Sequence, residues 1–173
     1  MTHRILIALS ALAGAAALAA SPAMAVEPFI PNEQIGPVRL GQTMDQVTGA
    51  LGQPRRDVVR RVGSVEQHTM SFGRIKRKCP PNGAWCPRLV VRVKGSSVVS
   101  IQSRSTRYRT AEGVGVGSAR AQLEQAIPGL ICVDQGGRYT YCTNGDRTSA
   151  ARTEAWLSPR SGRAYLIGVR RAA

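Results

Sequence analysis

The chain has 173 residues, 24 of them Lys or Arg against 10 Asp or Glu, for a formal net charge of +14 with 43% hydrophobic residues. That length holds one ordinary domain, or two small halves that share a core. Beyond the first 25 residues no stretch is apolar enough to span a bilayer as a helix, which excludes a bundle of membrane-spanning helices.

Residues 1–25 read as a signal peptide. Arg4 gives a positive start, Ile5 to Ala20 is rich in Ala and Leu, Pro22 breaks the run, and Ala23-Met24-Ala25 has the small-x-small form of a signal-peptidase site. The alternative, a membrane anchor, needs ~20 apolar residues, and this run is shorter. No Cys follows the cleavage site, so a lipid anchor is not expected. The product is expected to be exported, to the periplasm or the medium.

The next segment, "VRLGQTMDQVTGALGQP" (Val38 to Pro54), returns seventy-six residues later as "VGVGSARAQLEQAIPGL" (Val114 to Leu130). Val38 meets Val114, Gly41 meets Gly117, Gln46 meets Gln122 and Ala50 meets Ala126. In the first copy Thr43 reads as an N-cap with Gln46 closing a capping box, Met44, Val47, Ala50 and Leu51 follow at helical spacing, and Gly52 and Pro54 stop the helix. In the second, Ser118 is the expected cap, Leu123, Ala126 and Ile127 form the stripe, and Pro128-Gly129 ends it. Each helix is expected to run for about ten residues, and after each the period changes to two. "DVVRRV", "SVEQHTMSF", "RLVVRVK" and "VVSIQSR" follow the first; "LICVD", "RYTYC", "RTEAWL" and "RAYLIGVR" follow the second. Gly63-Ser64, Asn82-Gly83, Gly95-Ser96, Gly136-Gly137, Asn144-Gly145 and Ser161-Gly162 separate them as turns. The fold class expected is therefore α+β: two helix-plus-four-strand repeats forming one antiparallel sheet, with both helices packed on one face. The first repeat is set at residues 26–105 and the second at 106–173, with Ser103 to Gly113 as the joint. One such unit buries little surface alone, whereas two can share a core.

Cys79, Cys86, Cys132 and Cys142 make an even set suited to an oxidising compartment. Three pairings are possible, and the local one, Cys79 with Cys86 and Cys132 with Cys142, is favoured because each pair flanks its own turn signals. A zinc site is the weaker alternative. Neither pair has the short Cys-x2–4-Cys spacing, and His68 is the one histidine after the leader. No metal and no cofactor are expected.

Alternation places Leu89, Val91 and Val93 on one side of their strand and Arg88, Arg92 and Lys94 on the other. Arg152, Glu154 and Trp156 likewise share a face, and Tyr139 and Tyr141, also on one face, are assigned to the core side. A Trp beside charges on an open sheet is a contact residue in many interfaces. The candidate binding residues are Trp85, Arg88, Arg92, Lys94, Arg152 and Trp156.

A Gly before a Thr- or Ser-capped short helix, a hydrophobic stripe, then Gly-x-Pro leading into strands resembles the β-lactamase-inhibitory-protein-like fold, whose unit also occurs singly in small outer-membrane assembly lipoproteins. Gly41, Thr43, Val47, Leu51, Gly52 and Pro54 carry the resemblance, with Gly117, Ser118, Leu123 and Ile127 in the second copy. It implies a tandem of that unit across most of the chain after the leader. The resemblance does not bring an activity with it. Phe29, Phe72, Trp85, Tyr108, Tyr139, Tyr141, Trp156 and Tyr165 are too few for the aromatic-rich sheet of the inhibitors, and the lipoproteins' lipidated Cys is missing.

No catalytic constellation stands out. There is no Gly-x-Ser-x-Gly, Cys-x-x-Cys or His-x-x-x-His, and "GVGVGS" (Gly113 to Ser118) lacks the Lys-Ser/Thr ending of a phosphate loop. The expected function is an exported, non-catalytic, monomeric binding protein. It would use its open sheet face and loops on a macromolecular partner, as an inhibitor-like or envelope protein does. The alternative is an electrostatic binder of anionic envelope or extracellular polymers, since a basic, arginine-rich surface grips carboxylates and phosphates. A third possibility is an enzyme of unrecognised type. Nucleic acid is not an expected partner in an exported location.

Overall fold

A computed structural model describes residues 26–74, 86–146 and 148–171. The expected leader and cleavage site lie outside the described residues. The elements, in order, are β1 (Glu27–Ile30), β2 (Gln34–Ile35), β3 (Val38–Arg39), α1 (Met44–Leu51), β4 (Arg56–Val62), β5 (Val65–Arg74), β6 (Pro87–Lys94), β7 (Ser97–Ser103), β8 (Tyr108–Arg109), α2 (Arg120–Ala126), β9 (Ile131–Asp134), β10 (Thr140–Thr143), β11 (Ala151–Leu157) and β12 (Ala164–Arg171). The class is α+β, as the switch from helical to alternating periodicity predicts.

Eight strands form one sheet in the order β4-β5-β6-β7-β12-β11-β10-β9. Every neighbouring pair in it is antiparallel. The strands after α1 fill one half and those after α2 the other, and the halves meet at β7 and β12 with Gln102 opposite Gly168. The expectation of a single sheet needs correction. A second sheet runs β3-β2-β1-β8, and its β1–β8 pair is parallel. Segments of two residues carry no readable period, so β2, β3 and β8 leave no alternation in the sequence. The joint at residues 103–113 thus holds β8, which ties the N-terminal strand to the start of the second half.

The two helix starts share a backbone device. Gly41 N–H donates to Val98 O at 2.8 Å, and Val98 N–H donates to Gln42 O at 2.8 Å. Gly117 N–H donates to Ala164 O at 2.7 Å, and Ala164 N–H donates to Ser118 O at 2.9 Å. Gly41 and Gly117 make this turn at φ 87° and 95°, a region that a Cβ disfavours. Each helix start is thereby pinned to the beginning of the last strand of its half.

In α1 the capping box forms as expected: Thr43 Oγ1 accepts from Gln46 N–H at 3.3 Å and Gln46 Oε1 accepts from Thr43 N–H at 2.9 Å. In α2 the cap position is Ala119, not Ser118. Gln122 Oε1 accepts from Ala119 N–H at 2.9 Å, while Ser118 Oγ turns back to accept from Gly115 N–H at 3.0 Å. The helices are shorter than the expected length, at 8 and 7 residues.

Val47 and Leu123 on the helices, and Ile127 just after α2, bury in one cluster with Leu89, Val91, Val93, Ile101, Ala155, Leu157, Ile167 and Val169 of the large sheet. Leu51, read as a core residue, is only half-buried, because it ends α1 at the rim of this cluster. Thr153 is buried among these apolar residues. Its hydroxyl accepts from Asn32 N–H and donates to Asn32 Oδ1, both at 2.8 Å, which fastens the β1–β2 turn to β11.

Cys132 and Cys142 stand directly opposite on β9 and β10 and form a disulfide, as the local pairing requires. Cys86 is buried and disulfide-bonded. Cys79, its expected partner, lies outside the described residues, as do the Asn82-Gly83 turn and Trp85.

Candidate binding face

Strand alternation sets the site. On β11 Thr153, Ala155 and Leu157 are buried with the core, so Arg152, Glu154 and Trp156 emerge on the other side. Tyr141 on β10 stands opposite Trp156, so it shares that face. The core-side assignment of Tyr141 is therefore wrong. Cys132 and Cys142 take the buried positions of β9 and β10, and alternation puts Tyr141 opposite to them. Tyr139 precedes β10 and is half-buried.

These residues gather around a carboxylate. Glu154 is 2% exposed. Its Oε1 accepts from Tyr141 Oη at 2.9 Å and from Arg152 Nε at 3.0 Å. Its Oε2 has no hydrogen-bond partner, and Arg170 Nε lies 3.9 Å from it, beyond hydrogen-bond reach. Arg152 is fixed at its other end, where Nη1 donates to Asp146 O at 3.2 Å. The Tyr141 and Trp156 rings lie 5.3 Å apart, tilted by 57°. A Cβ on Gly168 would sit 3.2 Å from Gln102 Cγ and 3.7 Å from Trp156 Cζ3, so the missing side chain leaves room for the indole.

Together Tyr141, Arg152, Glu154, Trp156, Arg170 and the Gly145-Asp146 turn line an open hollow of about 430 Å³. Burial first, and then the Glu154 carboxylate, raises the Tyr141 phenol above its usual range. Arg92 lies within electrostatic reach: burial first and then Arg170 lower its guanidinium from the usual value, while Glu154 raises it.

Of the six residues picked from sequence, the hollow brings together Arg152 and Trp156, with Arg92 close by. Lys94 is exposed at the end of β6, opposite Ser97. Arg88 stands at the other end of that strand, where its charge acts on the Tyr108 phenol. Trp85 lies outside the described residues. Sequence reading missed Tyr141, Glu154 and Arg170 as site residues. For Glu154 the signal was present, a lone acid between Arg152 and Trp156 on an arginine-rich face. His68 sits elsewhere, on β5, with Nδ1 2.8 Å from Asp57 Oδ2. Among the described residues no three His, Cys, Asp or Glu side chains gather to hold a metal.

No protein-family model matches the chain, and no curated protein matches it. Among solved structures, the uncharacterized protein yfeY of Escherichia coli is similar at TM-score 0.52 and 13% identity, over 84% of this chain and 99% of that one. A cysteine-rich secretory protein of Staphylococcus aureus is similar at TM-score 0.47 and 13% identity, over 76% of this chain and 44% of that one. This chain thus spans less than half of the staphylococcal protein. A proposed β-lactamase inhibitor protein of Streptococcus mutans follows at TM-score 0.27 and 12% identity, over 77% of this chain and 85% of that one. The likeness to yfeY is one of fold, running through nearly the whole of that protein.

Proposed function

We propose that this chain is an exported, non-catalytic binding protein built as a tandem of one helix-plus-four-strand unit, with both helices on one face of the joined sheet and a macromolecular partner on the other. The paired glycine devices at Gly41 and Gly117, the Gln46 and Gln122 caps and the mirrored strand order support the tandem. So does the single cluster that buries Val47 with Leu123. Export is supported by the leader-like residues 1–25 and by the Cys132–Cys142 disulfide, which suits an oxidising compartment. No helix among the described residues is long and apolar enough to cross a membrane.

The observation that carries the binding role is the hollow at Glu154 and Trp156. A buried carboxylate, its arginines and an aromatic pair stand on the sheet face away from the core cluster, the mixture of aromatic and Arg side chains that dominates interface energetics. The anionic-polymer reading stays as the second, because Arg92 beside Arg170 crowds two cations on that face.

The test uses residues 26–173 immobilised against envelope extract and culture fluid at low and high salt. Parent protein and Arg160→Met, a change on an exposed turn, should retain the same partner, and Trp156→Ala should lose it. Retention at both salt concentrations marks a protein interface, and loss at high salt marks a polyanion. A partner held equally by Trp156→Ala sinks the reading.

A further inference from the structure

Three residues meet in one row across the centre of the open face. Arg92 on β6 is paired with Ser100 on β7, and Ser100 with Arg170 on β12. Directly paired residues point to the same side of a sheet, so the small serine sits between two arginines whose Cα atoms are ~10 Å apart, twice the strand spacing. Long guanidinium arms thus flank a short side chain on both sides.

The row is chemically incomplete. Ser100 is 3% exposed, yet its Oγ has no hydrogen-bond partner. A buried hydroxyl is normally paired, and leaving it unpaired costs free energy. The Arg92 side chain is half-buried and makes no hydrogen bond or ion pair among the described residues. Arg170 has only the loose contact to Glu154, which leaves its guanidinium end uncommitted. The glutamate already serves Arg152 and Tyr141 through its other oxygen. Three donor side chains therefore stand in one row with no hydrogen-bond acceptor engaged, the Glu154 Oε2 carboxylate oxygen lying 3.9 Å from Arg170 Nε.

We propose that Arg92, Ser100 and Arg170 form a binding site for a single tetrahedral oxyanion, a phosphate or sulfate group. Such a group offers enough oxygens to take Ser100 Oγ–H and one guanidinium from each side at once. Charge-assisted bonds of this kind are the stronger ones. The proposal rests on the open-face reading above and names the chemistry of one spot on it. The group is either a free anion or an ester carried by a polymer, and the three donors are the same for both.

Calorimetric titration of residues 26–173 with inorganic phosphate at constant ionic strength tests it. The parent should bind. Arg92→Met, Arg170→Met and Ser100→Ala should each weaken binding about tenfold or more, the usual worth of one bond to a charged group. Arg160→Met, which removes the same charge from a distant turn, should stay within about twofold of the parent. The Arg92 and Arg170 Nε–H resonances should shift on phosphate addition. Polyphosphate at equal phosphate concentration then tells the source. Tighter binding that Ser100→Ala still weakens points to a polymer-borne group, and equal binding to the free anion. A parent that does not bind phosphate, or a Ser100→Ala variant that binds it as the parent does while melting normally, overturns the site. The titration uses purified protein alone, so its failure leaves partner capture at Trp156 standing, and the reverse holds as well.

Discussion

Counting back from the register shift at Arg92/Val93 in β6 and the one at Trp156/Leu157 in β11, Arg88 stands where Arg152 does, Val90 where Glu154 does and Arg92 where Trp156 does. From the junction at Gln102 and Gly168, Ser100 stands where Leu166 does. On the buried side the same counting matches Val93 with Leu157 and Ile101 with Ile167, all within one cluster. The two halves of the sheet keep apolar character where they meet the helices and differ in charge and shape where they meet solvent. Burial explains the agreement, since a packed core tolerates only apolar side chains of similar volume. No such constraint holds on the open face. There the second half carries a carboxylate and an indole where the first has a valine and an arginine. The hollow follows from that difference, and on the tandem reading it marks where one unit acquired a task the other lacks.

The comparison breaks most visibly if the two halves do not share a core. Leu123 is fully buried, and Leu123→Ala removes its methyl groups and leaves a cavity, at a cost of ~2–5 kcal/mol. Since Leu123 belongs to one cluster with Val47 and the central strands, the loss should lower one cooperative thermal transition by several degrees. Two separate transitions, or an unchanged one, would show that the halves are independent. Leu51→Ala, at the half-buried end of α1, should cost less.

A smaller effect sharpens the difference on the open side. Glu154→Gln keeps the shape but removes the charge that faces Arg152, whose side chain is 13% exposed against 3% for Glu154. Breaking a buried pair strands the remaining charge, and ~2–3 kcal/mol is expected, a little below the usual range because Arg152 reaches some solvent. The double variant with Arg152→Met should recover part of the loss in denaturant unfolding. If Glu154→Gln melts like the parent, the carboxylate is not what organises the hollow. Val90→Gln, at the matching place in the first half, has no arginine to strand and should cost less than Glu154→Gln.

The eight long strands were legible because alternation and Gly-containing turns are local signals. The Thr43–Gln46 box and the Cys132–Cys142 pair were legible for the same reason. What local signals do not carry is register between strands distant in the chain. Alternation put Arg92 and Arg152 each on the polar side of its own strand, but only the β7–β12 junction brings Arg170 and Ser100 between them. Tyr141 was misassigned because a two-tyrosine alternation has no absolute phase until Cys142 fixes it in the core. At α2 the echo matches Thr43 with Ala119, and Ser118 was the expected cap because its hydroxyl, unlike the Ala119 side chain, can accept a hydrogen bond. The Gly117–Ala164 device sets the helix start at the same offset as the Gly41–Val98 one, so Ala119 takes the cap position and Ser118 is left to brace Gly115. The glutamine, which both copies keep, turned out to be the shared capping residue.

The smallest expected effect concerns the wall of the hollow, the turn after β10. Asp146 Oδ1 accepts from Thr148 Oγ1 at 2.7 Å, Thr148 N–H at 2.8 Å, Ser149 N–H at 2.9 Å and Ser149 Oγ at 3.1 Å. These bonds, the Thr148 hydroxyl first, favour the ionised carboxylate and lower its pKa from the ordinary 3.8 to about 2. A depressed carboxylate contributes stability that is fully present above its unfolded pKa and is lost as pH falls through the folded one. The turn should therefore be complete at any pH used for binding measurements and should open only as pH drops from about 4 to about 2. Since Asp146 is fully exposed, the global melting temperature should hardly register its protonation. The Thr148 and Ser149 amide resonances should register it, with a common midpoint at about 2. A midpoint at the ordinary aspartate value would mean that the four bonds do not hold the turn in solution. The Asp146 carbonyl that takes Arg152 Nη1 would then no longer be a fixed point of the hollow, and the contrast between the halves would rest on Glu154 and Trp156 alone.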